Sequence, residues 1–323
     1  MSIVLFTGAG ASVPFGYPTT TEFFNKEPTL KFNESEQTIF TTLKEELDAK
    51  GQGDLEVVLE HLDSNLNHFD SEHGKFFLKI SNSEKQNVLM EQIRDKLRKK
   101  CFQVYGQTPD SNLVDKIFCD LIKDCLDLRD DIQLFTTNYD PITDVILEKF
   151  ILDYGKEVYD GFNRVNNAWD KTGYDKQPNS IKIYRLHGSI NWVEGNDGRV
   201  RKLPVNDPGP SPYRKNIIIY PGYKGDIENA PEIFRDPHHA LRESLSKAKI
   251  LVIIGYSFRD ENINKIFKER SAEKRERIPV LIVNPDPPEE RIGEILKEAR
   301  FHKRGFGDDN ATLINWIRDK FGR

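Results

Sequence analysis

The length, composition and charge of the chain restrict the classes of protein to which it can belong. Its 323 residues, 37% hydrophobic and 31% charged, are typical of a soluble globular protein with one large core and an inserted subdomain, or with two domains. The net charge of −5 argues against direct nucleic-acid binding, because neutralising phosphates takes a basic face. Neither a membrane-length apolar run nor a signal peptide is found, so we predict a cytoplasmic protein.

The chain begins with a predicted strand and a short helix. Residues Ile3 to Phe6 form a continuous apolar run that leads into Gly8, which is the pattern of a strand buried on both faces of a parallel sheet. Pro18 and the three threonines after it supply a helix start. The first element is therefore interpreted as a core strand that runs straight into a glycine turn.

A helical insert is predicted over residues 34–127. Charged residues dominate there, and apolar residues recur every three or four positions, as on the buried face of a helix. The three cysteines also lie in this segment, match no zinc-ribbon spacing and are interpreted as reduced thiols. We therefore predict a single domain, 1–323, in which a helical insert subdomain interrupts a core formed by 1–33 and 128–323.

Four further apolar runs alternate with helical patterns after the insert. They are Ile132–Phe135, Ile181–Leu186, Ile250–Ile254 and Val280–Val283. Such alternation predicts βαβ units, and the fold class is therefore α/β, a doubly wound, mainly parallel, Rossmann-like sheet. Between Asn191 and Tyr220 a small hairpin module is expected, and a last helix is expected over about 311–321.

The turn after the first strand has a composition that suits a bound phosphate. It reads Gly8-Ala9-Gly10-Ala11-Ser12. Glycines let the backbone approach a pyrophosphate closely, and the amides at a helix start offer it hydrogen-bond donors. Because the third glycine of the dinucleotide fingerprint is missing, a merely tight strand-to-helix turn explains this loop equally well.

Polar residues follow the second and third strands of the predicted core. Asn138, Tyr139 and Asp140 follow one, and His187 follows the other. Ligands of open α/β sheets bind beyond the carboxyl ends of the strands, where Asn138 and Asp140 could read a carboxamide and position a water, and His187 could act as a general base. The alternatives are an Asx turn with Asp140 near the next helix start, and a structural histidine.

The last two predicted strands also end in small or polar residues. Gly255 and Ser257 could contact a ribose or phosphate, and Asn284 could accept a hydrogen bond from an adenosine ribose hydroxyl. Each residue also has an ordinary loop interpretation. Every predicted parallel strand nevertheless ends in such a cluster, and this coincidence favours a ligand site at that edge of the sheet.

The order of these motifs resembles that of the sirtuin family. The glycine-rich turn is similar to its opening loop, Thr137–Asp140 to its Thr-Gln-Asn-Ile-Asp element, His187-Gly188 to its catalytic His-Gly, Gly255-Tyr256-Ser257 to its Gly-Thr-Ser, and Val283–Asp286 to its late Ile-Asn element. The likeness runs from Gly8 to Asp286, apart from the helical stretch.

The resemblance implies that NAD⁺ is the substrate and that Asn138 and His187 are the catalytic residues. It further implies that Asp140 and the Tyr139 backbone hold the nicotinamide carboxamide. The implied NAD⁺-binding residues are Gly8, Ala9, Gly10, Ala11, Ser12, Tyr139, Asp140, Gly255, Ser257, Asn284 and Asp286.

Departures from the family pattern argue against peptide deacylation. No cysteine follows Cys125, so the two Cys-x-x-Cys pairs that hold zinc in deacylating sirtuins have no counterpart, and neither a zinc module nor any other metal is expected. The chain continues from Pro18 with threonines instead of a Pro-Asp-Phe-Arg element. Only Tyr220–Tyr223 roughly matches the Phe-Gly-Glu segment that lines an acyl-lysine channel.

With these departures the chain resembles the zinc-free, sirtuin-like NAD⁺ hydrolases of bacterial antiphage defence. This resemblance implies cleavage of NAD⁺ to ADP-ribose and nicotinamide by an abortive-infection effector. It also implies assembly as a homo-oligomer, or control by a separate sensor or ATPase protein of the same defence system, without a membrane. Two alternatives stay open: transfer of ADP-ribose or deacylation at the same site, and a non-catalytic sensor of NAD⁺ or ADP-ribose.

Overall fold

The chain folds into two compact units. A computed structural model describes residues 2–26, 30–67, 84–128, 131–176, 181–204, 215–218, 227–272 and 278–321. The first unit is formed by Met1–Tyr17, Tyr105–Ile219 and Lys224–Arg323, and the second chiefly by Pro18–Val104. Among the described residues, no helix has both the length and the apolar character needed to cross a membrane.

Ten strands are present in the described part of the chain. In chain order they are β1 (Ser2–Thr7), β2 (Ile132–Thr136), β3 (Val158–Tyr159), β4 (Ile181–Arg185), β5 (Gly188–Glu194), β6 (Val200–Lys202), β7 (Lys215–Ile218), β8 (Ala248–Ile254), β9 (Val280–Val283) and β10 (Arg300–His302). Seven of them form one sheet in the order β10-β9-β8-β1-β2-β4-β3, and every pairing in it is parallel.

The described residues also form twelve α-helices. They are α1 (Phe23–Lys26), α2 (Glu34–Asp48), α3 (Leu55–Asn67), α4 (Glu84–Tyr105), α5 (Ser111–Val114), α6 (Asp120–Leu126), α7 (Ile142–Leu152), α8 (Gly173–Lys176), α9 (Glu232–Lys247), α10 (Glu261–Ala272), α11 (Glu289–Ile295) and α12 (Asn310–Phe321). Strands and helices alternate through the first unit, so the predicted doubly wound, mainly parallel α/β fold is confirmed.

Strand β1 lies in the middle of the large sheet, between β2 and β8. Its residues Ile3–Phe6 are fully buried, because helices cover both faces of a parallel sheet. That position explains the continuous apolar run, which an alternating strand with one wet face would not need. Sheet order and burial together place the carboxyl ends of β1, β2, β4 and β8 side by side.

The second unit is helical, as predicted for the middle of the chain. Helix α2 begins with a capping box in which Asn33 and Glu36 exchange hydrogen bonds between side chain and backbone. Glu36 is buried and pairs with Lys96 at 2.5 Å, while Asp63 pairs with Arg98 at 2.8 Å. The basic run of α4 is thus balanced by acids of neighbouring helices.

The helices α5 and α6 belong to the first unit, whereas the sequence analysis placed residues 105–127 in the insert. Leu121, Ile122 and Cys125 are fully buried, and α6 lies against β2 and α12. Helical periodicity identifies an apolar face but not the surface that the face covers. The boundary between core and insert therefore could not be read from the pattern alone.

Strand β5 begins immediately after His187 and carries a second, antiparallel sheet in the order β6-β5-β7. The hairpin between β5 and β6 turns at Gly198, whose φ is 72°, in the left-handed region that favours glycine. The predicted hairpin module therefore exists, but it starts three residues earlier than Asn191. Its parts at 205–214 and 219–220 lie outside the described residues.

Candidate active site

The register of the large sheet brings the predicted catalytic residues to one edge. Thr136 of β2 pairs with Thr7 of β1 on one side and with Arg185 of β4 on the other. Leu186 N then donates to Thr136 O at 2.8 Å. Asn138 and His187 each follow the paired residues Thr136 and Arg185 by two positions. They therefore lie at neighbouring strand ends, where the fold predicts a ligand.

The glycine-rich turn after β1 packs directly on the turn after β8. Gly10 N donates to Gly255 O and Gly8 N to Ile254 O, both at 2.9 Å. A Cβ at Gly8 or Gly10 would lie 2.8 Å from backbone atoms of the 255–256 turn, and a Cβ at Gly255 would lie 2.2 Å from Ala11 N. These glycines are thus required by the close approach of two loops.

The backbone amides of this turn are largely used within the protein. Ala11 N donates to Gly8 O at 2.9 Å, in addition to the two bonds above, and residues Ala9–Phe15 form a 3₁₀-helix instead of an α-helix. The amides of Gly8, Gly10 and Ala11 therefore already have acceptors. The tight-turn interpretation of the loop therefore has direct structural support.

The amide of Asn138 is held in one orientation. Its Nδ2 donates to Gly8 O at 2.9 Å and to Ser12 Oγ at 2.8 Å. Its Oδ1 is buried and contacts no hydrogen-bond partner among the described residues. A buried acceptor without a partner is unfavourable by about 1–3 kcal/mol, so a water molecule, an ion or a ligand is expected to satisfy it.

Asp140 supports Asn138 through Ser12. Ser12 Oγ donates to Asp140 Oδ2 at 2.6 Å, and Asp140 Oδ1 accepts from Ile142 N at 3.1 Å. Burial raises the pKa of the Asp140 carboxyl above its usual value, and the hydrogen bond from Ser12 opposes that rise. The Asx-turn alternative for Asp140 is therefore present in the structure, together with a link to the neighbouring Asn138.

A buried arginine connects the ends of β2 and β4. Arg185 donates to Asp140 O at 3.0 Å and to Ser189 Oγ at 2.6 Å, and it pairs with Asp144. Ser189 Oγ in turn donates to Tyr139 O at 3.0 Å. These bonds fix the backbone of the loop that carries Asn138. Neither this arginine nor its partners Asp144 and Ser189 were predicted as part of the site.

His187 is buried beside Asp260, which was not predicted as part of the site. Its Nε2 lies 2.7 Å from Asp260 Oδ2, and the two side chains are 2% and 4% exposed. Burial acts to raise the pKa of Asp260, but the hydrogen bonds from His187 and from the Ile263 backbone help to hold that pKa below its usual value. Nδ1 of His187 is buried and has no partner among the described residues.

The remaining predicted site residues follow β8 and β9. Ser257 is exposed. Asn284 Oδ1 accepts from Asp286 N at 3.0 Å, and Asn284 N donates to His302 O at 3.1 Å. Asn284 therefore forms an Asx turn at the end of β9, three strands from Asn138 in the sheet. The structure thus brings Asn138 into contact with the glycine-rich turn and places His187 after the neighbouring strand, with Asn284 and Asp286 farther along the same side of the sheet.

Two solved structures of Sir2 homologues are similar to the chain over nearly its whole length. A mutant Sir2 homologue in complex with ADP-ribose has 14% sequence identity to the chain and a TM-score of 0.47, over 99% of this chain and 93% of that one. A Sir2 homologue in complex with NAD has 12% identity and a TM-score of 0.43, over 99% and 90%. No curated protein matches the chain.

A family model provides the assignment. The model of the SIR2-like domain matches residues 133–303, which is more than half of the chain. The matched range contains Asn138, His187 and Asp260, together with strands β4, β8 and β9. The chain belongs to the SIR2-like domain family.

Proposed function

We propose that the chain hydrolyses the nicotinamide–ribosyl bond of NAD⁺ to give ADP-ribose and nicotinamide. One observation carries the proposal: two buried polar atoms, Asn138 Oδ1 and His187 Nδ1, belong to residues that follow neighbouring strands and have no partner among the described residues. Membership of the SIR2-like family supports NAD⁺ as the substrate that would occupy this edge of the sheet.

The chemistry requires a positioned nucleophile more than a strong one. Cleavage of the glycosidic bond passes through an oxocarbenium-like state, so the site must hold C1′ of the ribose against a water molecule. Asn138 Oδ1 accepts a hydrogen bond from that water or from a ribose hydroxyl. The two N–H groups of Asn138 are already bound, so its oxygen is presented as the acceptor.

His187 removes the proton in this reaction. The water oxygen forms a bond to C1′ while the bond from C1′ to the nicotinamide nitrogen breaks, and its electron pair neutralises the charged ring nitrogen. The proton released by the water passes to His187 Nδ1. General-base catalysis of this kind is worth about 10²- to 10⁴-fold in rate.

The other predicted residues hold the two ends of NAD⁺. Asp140 and the Tyr139 backbone take the carboxamide; each oxygen of Asp140 accepts one hydrogen bond in the structure, and a carboxylate oxygen has a second lone pair. The glycine-rich turn faces the pyrophosphate. Gly255, Ser257, Asn284 and Asp286 serve the adenosine half.

We also propose that this activity serves antiphage defence, under the control of a partner or of self-assembly. The support is the combination of a sirtuin-like strand-edge site with cysteines that end at Cys125. A deacylating sirtuin needs a zinc module in the following segment. Here that segment contains the β5-β6-β7 sheet, which begins directly after His187.

The test is product analysis with purified full-length protein and NAD⁺, alone and with candidate partner proteins. Chromatography should show nicotinamide and free ADP-ribose in equal amounts. Asn138→Ala and His187→Ala should each abolish release without unfolding the protein, whereas Asn112→Ala and His61→Ala should retain it. Label attached to a macromolecule would indicate ADP-ribosyl transfer, and tight NAD⁺ binding without turnover under every condition would contradict the proposal.

A further inference from the structure

We propose that Asp260 is a positioning residue, which holds His187 in the tautomer that carries its proton on Nε2 and leaves the Nδ1 lone pair free. The role of Asp260 in catalysis rests on the proposed function, because His187 is the general base of that reaction. The tautomer itself is a property of the folded chain and can be measured without any reaction.

The distance and burial of the pair determine which atom donates. Asp260 Oδ2 and His187 Nε2 are 2.7 Å apart, in the range of a charge-assisted hydrogen bond. The pKa of Asp260 lies below its usual value, so its carboxyl group is ionised at neutral pH. An ionised carboxylate can only accept, and Nε2 must therefore donate. In the neutral ring, Nδ1 is then the unprotonated nitrogen.

The loop between β8 and α10 places the carboxylate with little freedom. Phe258 is fully buried and has a φ of 56°, which is unusual for a residue with a side chain. Asn264 Nδ2 holds the Phe258 carbonyl at 2.9 Å. Strained backbone of this kind persists where the surroundings over-determine it, and it concentrates at functional sites.

A helix cap alone does not account for Asp260. Its Oδ1 accepts from Ile263 N at 3.1 Å and so caps α10, a task that asparagine, serine or threonine performs as well. Its Oδ2 instead faces a residue 73 positions away in the chain. Burying a carboxylate is costly unless it is paired, which a cap at the surface would avoid.

The nearby histidine of α9 does not replace this partner. His238 is buried, and its Nδ1 lies 2.8 Å from Phe234 O. Burial lowers the pKa of His238 to about 4, so the ring is neutral at physiological pH and adds no positive charge beside Asp260. The carboxylate therefore has the Nε2–H group of His187 as its hydrogen-bond partner.

The substitution Asp260→Asn tests the roles of the two carboxylate oxygens separately. Asparagine keeps its Oδ1 on Ile263 N as the cap, which places its NH₂ group against His187. An NH₂ group donates, so Nε2 must accept, and the proton of the ring moves to Nδ1. The base is then blocked, although the shape of the side chain and the helix cap are retained.

We expect Asp260→Asn to lower kcat for nicotinamide release about 10²- to 10⁴-fold, the usual contribution of a general base, with KM for NAD⁺ unchanged. Asp110 caps α5 through its side chain and is exposed. Asp110→Asn is therefore the matched control, and it should retain the wild-type rate.

The independent readout is ¹⁵N NMR of the full chain labelled with [¹⁵N]histidine at pH 8.5, with the His187 signals assigned by their loss in His187→Gln. Wild type should show a protonated Nε2 and an unprotonated Nδ1, and Asp260→Asn should show the reverse. A proton on Nδ1 in wild type, or a substitution that changes neither spectrum nor kcat, would overturn the inference. A wild type that shows the expected tautomer but releases no nicotinamide would refute the proposed function alone.

Discussion

Removing the Ser12 hydroxyl should destabilise the protein by about 2–4 kcal/mol. Ser12 Oγ accepts from Asn138 Nδ2 at 2.8 Å and donates to Asp140 Oδ2 at 2.6 Å, and Ser12 is 2% exposed. The lost bond to Asn138 contributes about 1 kcal/mol, and leaving the buried Asp140 oxygen without its donor costs about 1–3 kcal/mol, about 2–4 kcal/mol together. Ser12→Ala removes both bonds and leaves the Asp140 oxygen without its donor.

The assay is urea unfolding at pH 7, followed by tryptophan fluorescence. The midpoint should fall while the dependence of the unfolding free energy on urea stays unchanged, because the surface exposed on unfolding is the same. Ser246→Ala is the matched control. Its hydroxyl bonds Glu243 O at 2.7 Å but is exposed, so its loss should cost no more than about 0.5 kcal/mol.

The same substitution tests how Asn138 is oriented. Without Ser12, the amide of Asn138 keeps only its bond to Gly8 O, so nicotinamide release should fall, but by less than in Asn138→Ala. A loss of stability below about 1 kcal/mol, less than the two hydrogen bonds together, would refute the reasoning. So would full activity in the destabilised variant.

Three further predictions concern charge, backbone and thiols. Burial opposes ionisation of Asp144, but the charges of Arg185 and Lys202 hold its pKa below the usual value. The stability that this gives is present above about pH 4 and is lost as the pH falls through the folded-state pKa. In Asp144→Asn, circular dichroism should therefore show a smaller fall of the unfolding free energy as the pH is lowered. Gly255→Ala should lower the free energy of urea unfolding by about 3 kcal/mol or more, because of backbone strain and overlap with Ala11 N. Gly198→Ala, in an open turn, should lower it by only about 1 kcal/mol. Burial raises the pKa of each cysteine thiol to about 12, so a thiol reagent at pH 8 should label them only after unfolding; rapid labelling of the native chain would contradict this.

The central strands could be predicted because a strand that is buried on both faces needs apolar residues at nearly every position. The runs at β1, β8 and β9 are continuous and apolar, as expected for strands buried on both faces. The runs at β2 and β4 are interrupted by Gln133, Lys182 and Arg185 but were still rich enough in apolar residues to be predicted. The strands β3 and β10 have two and three residues, which is too short for a periodic pattern. They lie at the two edges of the sheet and were missed.

The strand-end residues of the site were predictable from topology alone. Parallel strands place their carboxyl ends together whatever the details of packing, and so Asn138 and His187 follow neighbouring strand ends. Asp260 and Arg185 were missed because their partners are distant in sequence, 73 and 41 residues away. The available signal for Asp260 was its position directly before the helix that follows β8, but an acid at such a position is usually only a helix cap.

Asn138 and His187 are oriented in the same way, by hydrogen bonds from their N–H groups to the protein. In each, the protein binds the donor side of the group: Gly8 and Ser12 take both N–H groups of Asn138, and Asp260 takes Nε2–H of His187. What remains free on each is an acceptor, and both acceptors are buried. A site that offers two fixed acceptors is suited to a substrate group that donates, such as water or a ribose hydroxyl, and poorly suited to an anion. Under the proposed function we therefore expect the phosphates of the dinucleotide to lie toward the glycine-rich turn and away from the Asn138–His187 pair, with the sugar between them.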